Sequence, residues 1–235
     1  MLLRWIPFLF LLPLVACSPQ ELQTILGGTG ELSEREVADG LKEALRIGTE
    51  RSVDKAAAPD GFWNDPRIRI PFPPEAIAVR NTLMDLGMRG QVEQFEKTMN
   101  EAARLASREA VTVFVTAVNG MTIQDAFSIL RGGDHAATNF LHARTHESLR
   151  GRFQPIVEQA TSQVALGQYW QPLANAYNTA TIITGQEAVD PDLNGYVTQK
   201  ALDGLFLLLA EEEQRIREDP VARTTTLLQR VFSRQ

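Results

Sequence analysis

The three histidines of the chain all fall in one segment, at His135, His142 and His146. At about 100° per helical residue they lie within about 40° of one another, so a helix presents them on one stripe. His142 and His146, four residues apart, can direct two imidazoles at one zinc ion. The string HARTH lacks the glutamate that follows the first histidine in the metalloprotease pattern HExxH; Ala143 stands there. His135 sits about 10 Å further along the axis at about 1.5 Å per residue, too far to serve the same ion. Glu147 is about 100° round from His146, so a third ligand must come from another helix. Without one, the stripe is a polar face able to change charge near neutral pH.

A second pattern is Asp190-Pro191-Asp192-Leu193-Asn194-Gly195-Tyr196-Val197-Thr198. It fits the opening of an EF-hand loop, with oxygen ligands at the first, third and fifth positions, glycine at the sixth and threonine at the ninth. The twelfth position, which needs a bidentate carboxylate, is Ala201, and Asp203 is displaced by two residues. The expectation for Asp190, Asp192, Asn194 and Thr198 is therefore weak calcium binding, set against an Asx-rich turn in which Asn194-Gly195 caps the following helix.

Asp125, Arg131, Asp134, Thr138 and Asn139 gather around the Gly132-Gly133 pair. A helix starting after that pair offers free N–H groups to an anion, although Asp134 competes for the same donors. With the histidines, these residues make 125–146 the centre of the one enzymatic reading, a metal-dependent or acid/base enzyme. Glu211, Glu212, Glu213, Arg215, Arg217, Glu218 and Arg223 form a charge run, with Glu213 and Arg217 in the favourable i, i+4 order, and read as a solvated face. There is no Ser-His-Asp spacing, no P-loop and no dinucleotide fingerprint. Lys and Arg total 23 against 29 Asp and Glu, a formal charge of −6. That balance excludes an extended phosphate-binding surface, and with it nucleic acid as a partner. The single cysteine excludes a disulfide within the chain.

That cysteine closes the segment MLLRWIPFLFLLPLVAC. Arg4 and the amino terminus precede an apolar run from Trp5 to Val15, about 16 Å long as a helix, against about 30 Å for a bilayer core. Leu14-Val15-Ala16-Cys17 resembles the bacterial lipobox. The resemblance implies cleavage before Cys17, diacylation (palmitate-class chains) of its thiol and acylation of the new amino terminus. Several acyl chains anchor durably where one does not. Ser18 after the cysteine implies the outer membrane, facing the periplasm. The expected organisation is a lipoprotein signal peptide over 1–16, a lipidated tether over 17–32 and one helical domain over 33–235.

The elements that position these residues follow from period and punctuation. Ser33 and Glu36 form a capping box that opens a helix from Glu34 to about Ala57. Asp60 to Pro74 is a loop with four prolines that also carries Phe62, Trp63, Ile68, Ile70 and Phe72. So apolar a loop must lie across the body, and alternation about Arg67 and Arg69 allows a short extended piece. Pro74 starts a helix to about Leu86. Gln91 to Val118 reads as one long helix whose Ala102, Ala103, Ala106 and Ala110 call for a close neighbour. Thr122 to Leu130 is a short helix, and Asp134 caps another to about Gly151. Helices over 153–184, 196–218 and 221–232 complete an all-α, single multi-helix domain of about seven to nine helices. The nine apolar positions from Leu202 to Ala210 are too few to span a bilayer.

The strings GLKEAL (40–45), DGFWNDPRIRIPFP (60–73), MNEAA (99–103), MTIQDAFSILRGGDHAATNF (121–140), YVTQKALDGLF (196–206) and EEQRIREDPVART (212–224) resemble the domain-of-unknown-function 4197 family. The resemblance covers nearly all of the chain after the tether. It implies an exported, mostly lipoprotein family with an all-helical core and carries no activity, ligand or partner. The functional expectation is a non-enzymatic, membrane-tethered helical module that binds an apolar or lipid ligand or an envelope protein.

Overall fold

Helix α1 (Glu34–Ala57) starts immediately after Ser33, and the elements that follow are α2 (Gly61–Asn64), a 3₁₀ turn (Pro74–Ala76), α3 (Ile77–Asp85), α4 (Arg89–Ser107), α5 (Ala110–Asn119), α6 (Ile123–Leu130), α7 (Ala136–Thr161) and α8 (Leu193–Glu218). The computed structural model describes residues 33–163 and 188–219, with short pieces at 170–171, 174–175, 177–179, 182, 229 and 231. Cys17, the expected signal peptide and tether, most of the helix expected over 221–232 and parts of that over 153–184 lie outside the described residues. Residues 34–235 form one compact unit. Every regular element among the described residues is helical, as the periodicity requires.

Four long helices make the body. Helix α8 packs on α7, α1 and α4; α7 packs on α4 and α5; α1 covers α5 and α6. Small residues set these approaches. Gly48 of α1 faces Ile216 and Glu212 of α8, while the Ser52 hydroxyl donates to Gly48 O at 2.7 Å and to Leu208 O across the interface at 3.3 Å. Ala102, Ala103 and Ala106 of α4 are fully buried. Phe95, Phe114, Phe153, Leu141, Leu149, Leu202 and Leu205 fill the space between. No single helix among the described residues is long and apolar enough to cross a membrane.

The apolar loop is a strap. Asp60 takes a left-handed backbone (φ 54°), and Gly61 follows with no room for a Cβ, which would lie 2.6 Å from Lys55 O. Phe62, Ile68, Ile70 and Phe72 are buried. Buried Asn100 of α4 ties the strap down: its Oδ1 accepts from Ile70 N and its Nδ2 donates to Ile70 O, both at 2.8 Å. One asparagine thus satisfies both backbone groups of Ile70, which no neighbouring strand pairs. Gly204 of α8 admits the strap, because a Cβ there would lie 2.9 Å from Phe62 and 3.0 Å from Ile68. The short extended piece allowed by alternation is absent. Ile68 N and Arg69 N donate to Asp65 O in a turn instead.

Two of the long helices are divided differently from the sequence reading. The long helix over 91–118 is broken between α4 and α5. Arg108 N and Glu109 N bond carbonyls only three residues back, and the Ser107 hydroxyl turns back to Ala103 O at 2.8 Å, a contact that bends helices. Conversely, α7 runs unbroken through Gly151 and Pro155. Its buried stripe (Leu141, Thr145, Leu149, Phe153, Val157) repeats every four residues across both. Pro155 crowds the carbonyl four residues earlier, that of Gly151, and both residues lie on the exposed face, where water can satisfy the freed carbonyl.

Candidate functional site

The 125–146 segment resolves into two helix starts and an exposed face. Thr122 and Asp125 form a capping box for α6. Thr122 Oγ1 accepts from Asp125 N, and Asp125 Oδ2 accepts from Thr122 N, each at 3.0 Å. These backbone and hydroxyl bonds from Thr122, followed by the charge of Arg144, hold the Asp125 carboxyl below the ordinary aspartate range. Arg144 reaches Asp125 at 3.6 Å and lies over the Phe140 ring. Asp125 is a capping residue, and the Thr-x-x-Asp spelling of the box was there to be read.

The start of α7 corrects two expectations. Asp134 does not cap it: the N-cap position is His135, with no side-chain cap bond, and Asp134 is exposed. The cap comes from another helix. Glu213 of α8, only 6% exposed, accepts from Ala137 N at 3.0 Å, from Thr138 N at 2.8 Å and from the Thr138 hydroxyl at 2.8 Å. Arg217 donates to the same carboxylate through Nε at 3.0 Å and Nη2 at 2.9 Å, and to Ile129 O, the end of α6, at 3.0 Å. The pair is therefore a buried clamp joining α6, α7 and α8, and its part of the charge run is no solvated face. Its signal was Glu213 lying four residues after Leu209 and three before Ile216, inside the buried stripe of α8. Around it lies a narrow apolar crevice of about 20 Å³, lined in part by Leu41, Leu45, Ala137 and Ile216. That is room for about one water.

The remaining members do not converge. Arg131, Asp134, His135, Asn139 and His142 are exposed, and only Thr138 is buried. His142 and His146 do meet: their ring centroids are 4.8 Å apart, and His142 lies 4.7 Å from the Phe206 ring. Among the described residues, no three His, Cys, Asp or Glu side chains are placed to hold a metal ion.

In the 190–198 stretch the oxygens serve the turn. Asp190 Oδ1 accepts from Asp192 N at 2.8 Å, and Asp192 Oδ1 caps α8 by accepting from Gly195 N at 2.9 Å. The cap is thus Asp192, and α8 starts three residues earlier than the Tyr196 expected. Asn194 accepts from the Thr161 hydroxyl at 2.7 Å, and Thr198 is buried on the helix. An open cleft of about 370 Å³ lies beside this turn, bordered by Arg150, Trp170 and Tyr196. Tyr196 donates to Pro71 O at 3.2 Å, and burial, helped by Glu75, pushes its phenol up to about 12.

Directly after the strap, α3 is thinly held. It packs on α4 and the adjoining 3₁₀ turn, and none of its nine residues is buried. Ile77 is 42% exposed and Leu86, at its end, 71%. Alongside it runs a cleft lined by Trp63, Arg69, Arg80, Met84 and Arg89. Arg69 stacks on Trp63 with its guanidinium 3.5 Å from the ring centre, and Arg80 bonds Glu96 at 2.9 Å.

Fold and site together define an all-helical bundle with a strapped loop and an internal carboxylate–guanidinium clamp. The chain belongs to the family described as Protein of unknown function (DUF4197), whose model matches residues 31–233. No curated protein and no solved structure matches it.

Proposed function

We propose that this protein is a lipoprotein of the cell envelope, held at the outer membrane through Cys17 and facing the periplasm, whose helical body is a non-enzymatic module that docks an envelope protein on the edge built by α3. The observation that carries this reading is α3 itself: a helix bearing Ile77, Val79, Leu83 and Met84, with Leu86 just beyond, and no buried position. Ile77 and Leu86 leave large apolar side chains in water here, and exposed apolar surface of that kind, where it gathers, marks contact with a partner. Charges of both signs border it (Arg80 paired with Glu96, together with Arg89 and Glu93), which suits an apolar partner face with a mixed polar rim. Enclosure of a lipid has less support. Ligand pockets run to about 300–1,000 Å³ and are mostly apolar, whereas the apolar crevice found among the described residues holds about 20 Å³. Among the described residues, the polar groups of 125–146 do not converge on one site.

Photo-crosslinking in intact cells tests the docking edge. A photoreactive residue at Leu86 or Ile77 is expected to give a discrete protein adduct that one at exposed Glu158 of α7 does not. Adducts no stronger at α3 than at 158 would overturn the reading. Cys17→Ser in the same cells is expected to release the chain from the membrane fraction, and retention there would refute the anchor.

A further inference from the structure

We propose that His142 and His146 form a surface chelate for a divalent transition metal ion, Cu²⁺ in preference to Zn²⁺ or Ni²⁺, with water completing the coordination. The separation of the rings is one that two imidazoles sharing an ion would have. A metal–imidazole bond of about 2.0–2.1 Å puts the ring centre about 3.2 Å from the ion, so two rings at about 90–110° have centres about 4.5–5.2 Å apart. The observed separation is 4.8 Å, with the ring planes inclined at 34°. One helical turn of α7 sets that spacing, so little order is lost when an ion binds.

Each ring also has a close neighbour. His142 rests against Phe206 of α8, centroids 4.7 Å apart. His146 Nδ1 lies 3.1 Å from Glu147 Oε1. With the proton on Nδ1 donated to that carboxylate, the Nε2 lone pair is left for the metal, the arrangement that orients histidine ligands and raises their basicity. His142 is exposed, and the His146 side chain keeps 18% of its surface, so an ion enters directly from solvent. Arg144, the cation between them in sequence, is drawn off toward Asp125 and Phe140. Two neutral nitrogens with several open positions suit Cu²⁺, which leads the divalent affinity order for nitrogen sites. His135, seven residues from His142, stands about two turns away and takes no part.

The test uses the full chain isolated from membranes in detergent, without a polyhistidine tag, and one equivalent of Cu²⁺. The electron paramagnetic resonance spectrum is expected to show superhyperfine coupling to two nitrogens. Competition with a chromophoric chelator is expected to show at least a tenfold loss of affinity in His142→Ala and in His146→Ala, about a tenfold loss in Glu147→Gln and no change in His135→Ala. Circular dichroism verifies that these exposed substitutions leave the fold intact. Cu²⁺ binding of equal strength in the His142→Ala, His146→Ala and His135→Ala variants, or a spectrum without nitrogen coupling, would overturn the proposal. It is independent of the docking edge, which shares no residue with it.

Discussion

Removing the Glu213 carboxylate is the sharpest test of the clamp. In Glu213→Ala, Ala137 N and Thr138 N lose their acceptor, and Arg217, whose side chain is only 15% exposed, keeps Ile129 O and loses its counter-charge. Loss of a helix N-cap costs about 1–2 kcal/mol. Stranding one half of a buried ion pair costs about 3–5 kcal/mol. The two overlap, since the same carboxylate does both, so about 3–4 kcal/mol is expected in total. For a body of this size, 1 kcal/mol moves the melting temperature by about 2–4 °C, which gives a fall of roughly 6–16 °C. Glu213→Gln keeps the shape and one acceptor while losing the charge, and should cost about half as much. Removing both charges in Glu213→Ala with Arg217→Met should cost at least about 1 kcal/mol less than the sum of the single changes, because no charge is then stranded. Thermal melting followed by circular dichroism gives the magnitudes, and amide exchange at Ala137 and Thr138 gives the location. A Glu213→Ala protein melting within about 1 °C of the parent, with exchange at those amides unchanged, would refute the argument.

Two further outcomes follow from the same structure. Gly204→Ala drives a methyl into Phe62 and Ile68 at 2.9 and 3.0 Å; overpacking of about 1–3 kcal/mol outweighs the helix-propensity gain of about 1 kcal/mol. Gly151→Ala meets nothing within 4 Å and should gain about 0.5–1 kcal/mol, so denaturant midpoints of the two should move in opposite directions. Tyr196, pushed up to about 12 mainly by burial, stays protonated where an unfolded chain ionises near pH 10. Its contribution to stability is therefore complete below pH 10 and lost as the pH climbs to 12. Absorbance titration at about 295 nm should show one late tyrosinate step that Tyr196→Phe removes.

Periodicity and punctuation in the chain determined that it folds as helices and where most of them lie, because burial of one stripe is a local property of 3.6-residue spacing. They also determined that the 60–74 loop lies across the body, since five large apolar side chains cannot all face water. Local signals failed where a boundary rests on contacts from elsewhere. Gly151 did not end α7, because the four-residue stripe on its far side packs against other helices. Helix α4 ended at Ser107 without glycine or proline, where the backbone bonds tighten to three-residue spacing. The polar residues showed the same limit. Asp134 looked like the cap of α7 because its neighbours in sequence were the only ones visible, whereas the cap is Glu213, 75 residues away from Thr138. The spacing of His142 and His146 was plain from the residue numbers, but the support of Phe206 behind them was not. Only the packed structure could decide which carboxylate caps, which loop peptide an asparagine holds and which polar residues face water, because each depends on groups brought together from distant parts of the chain.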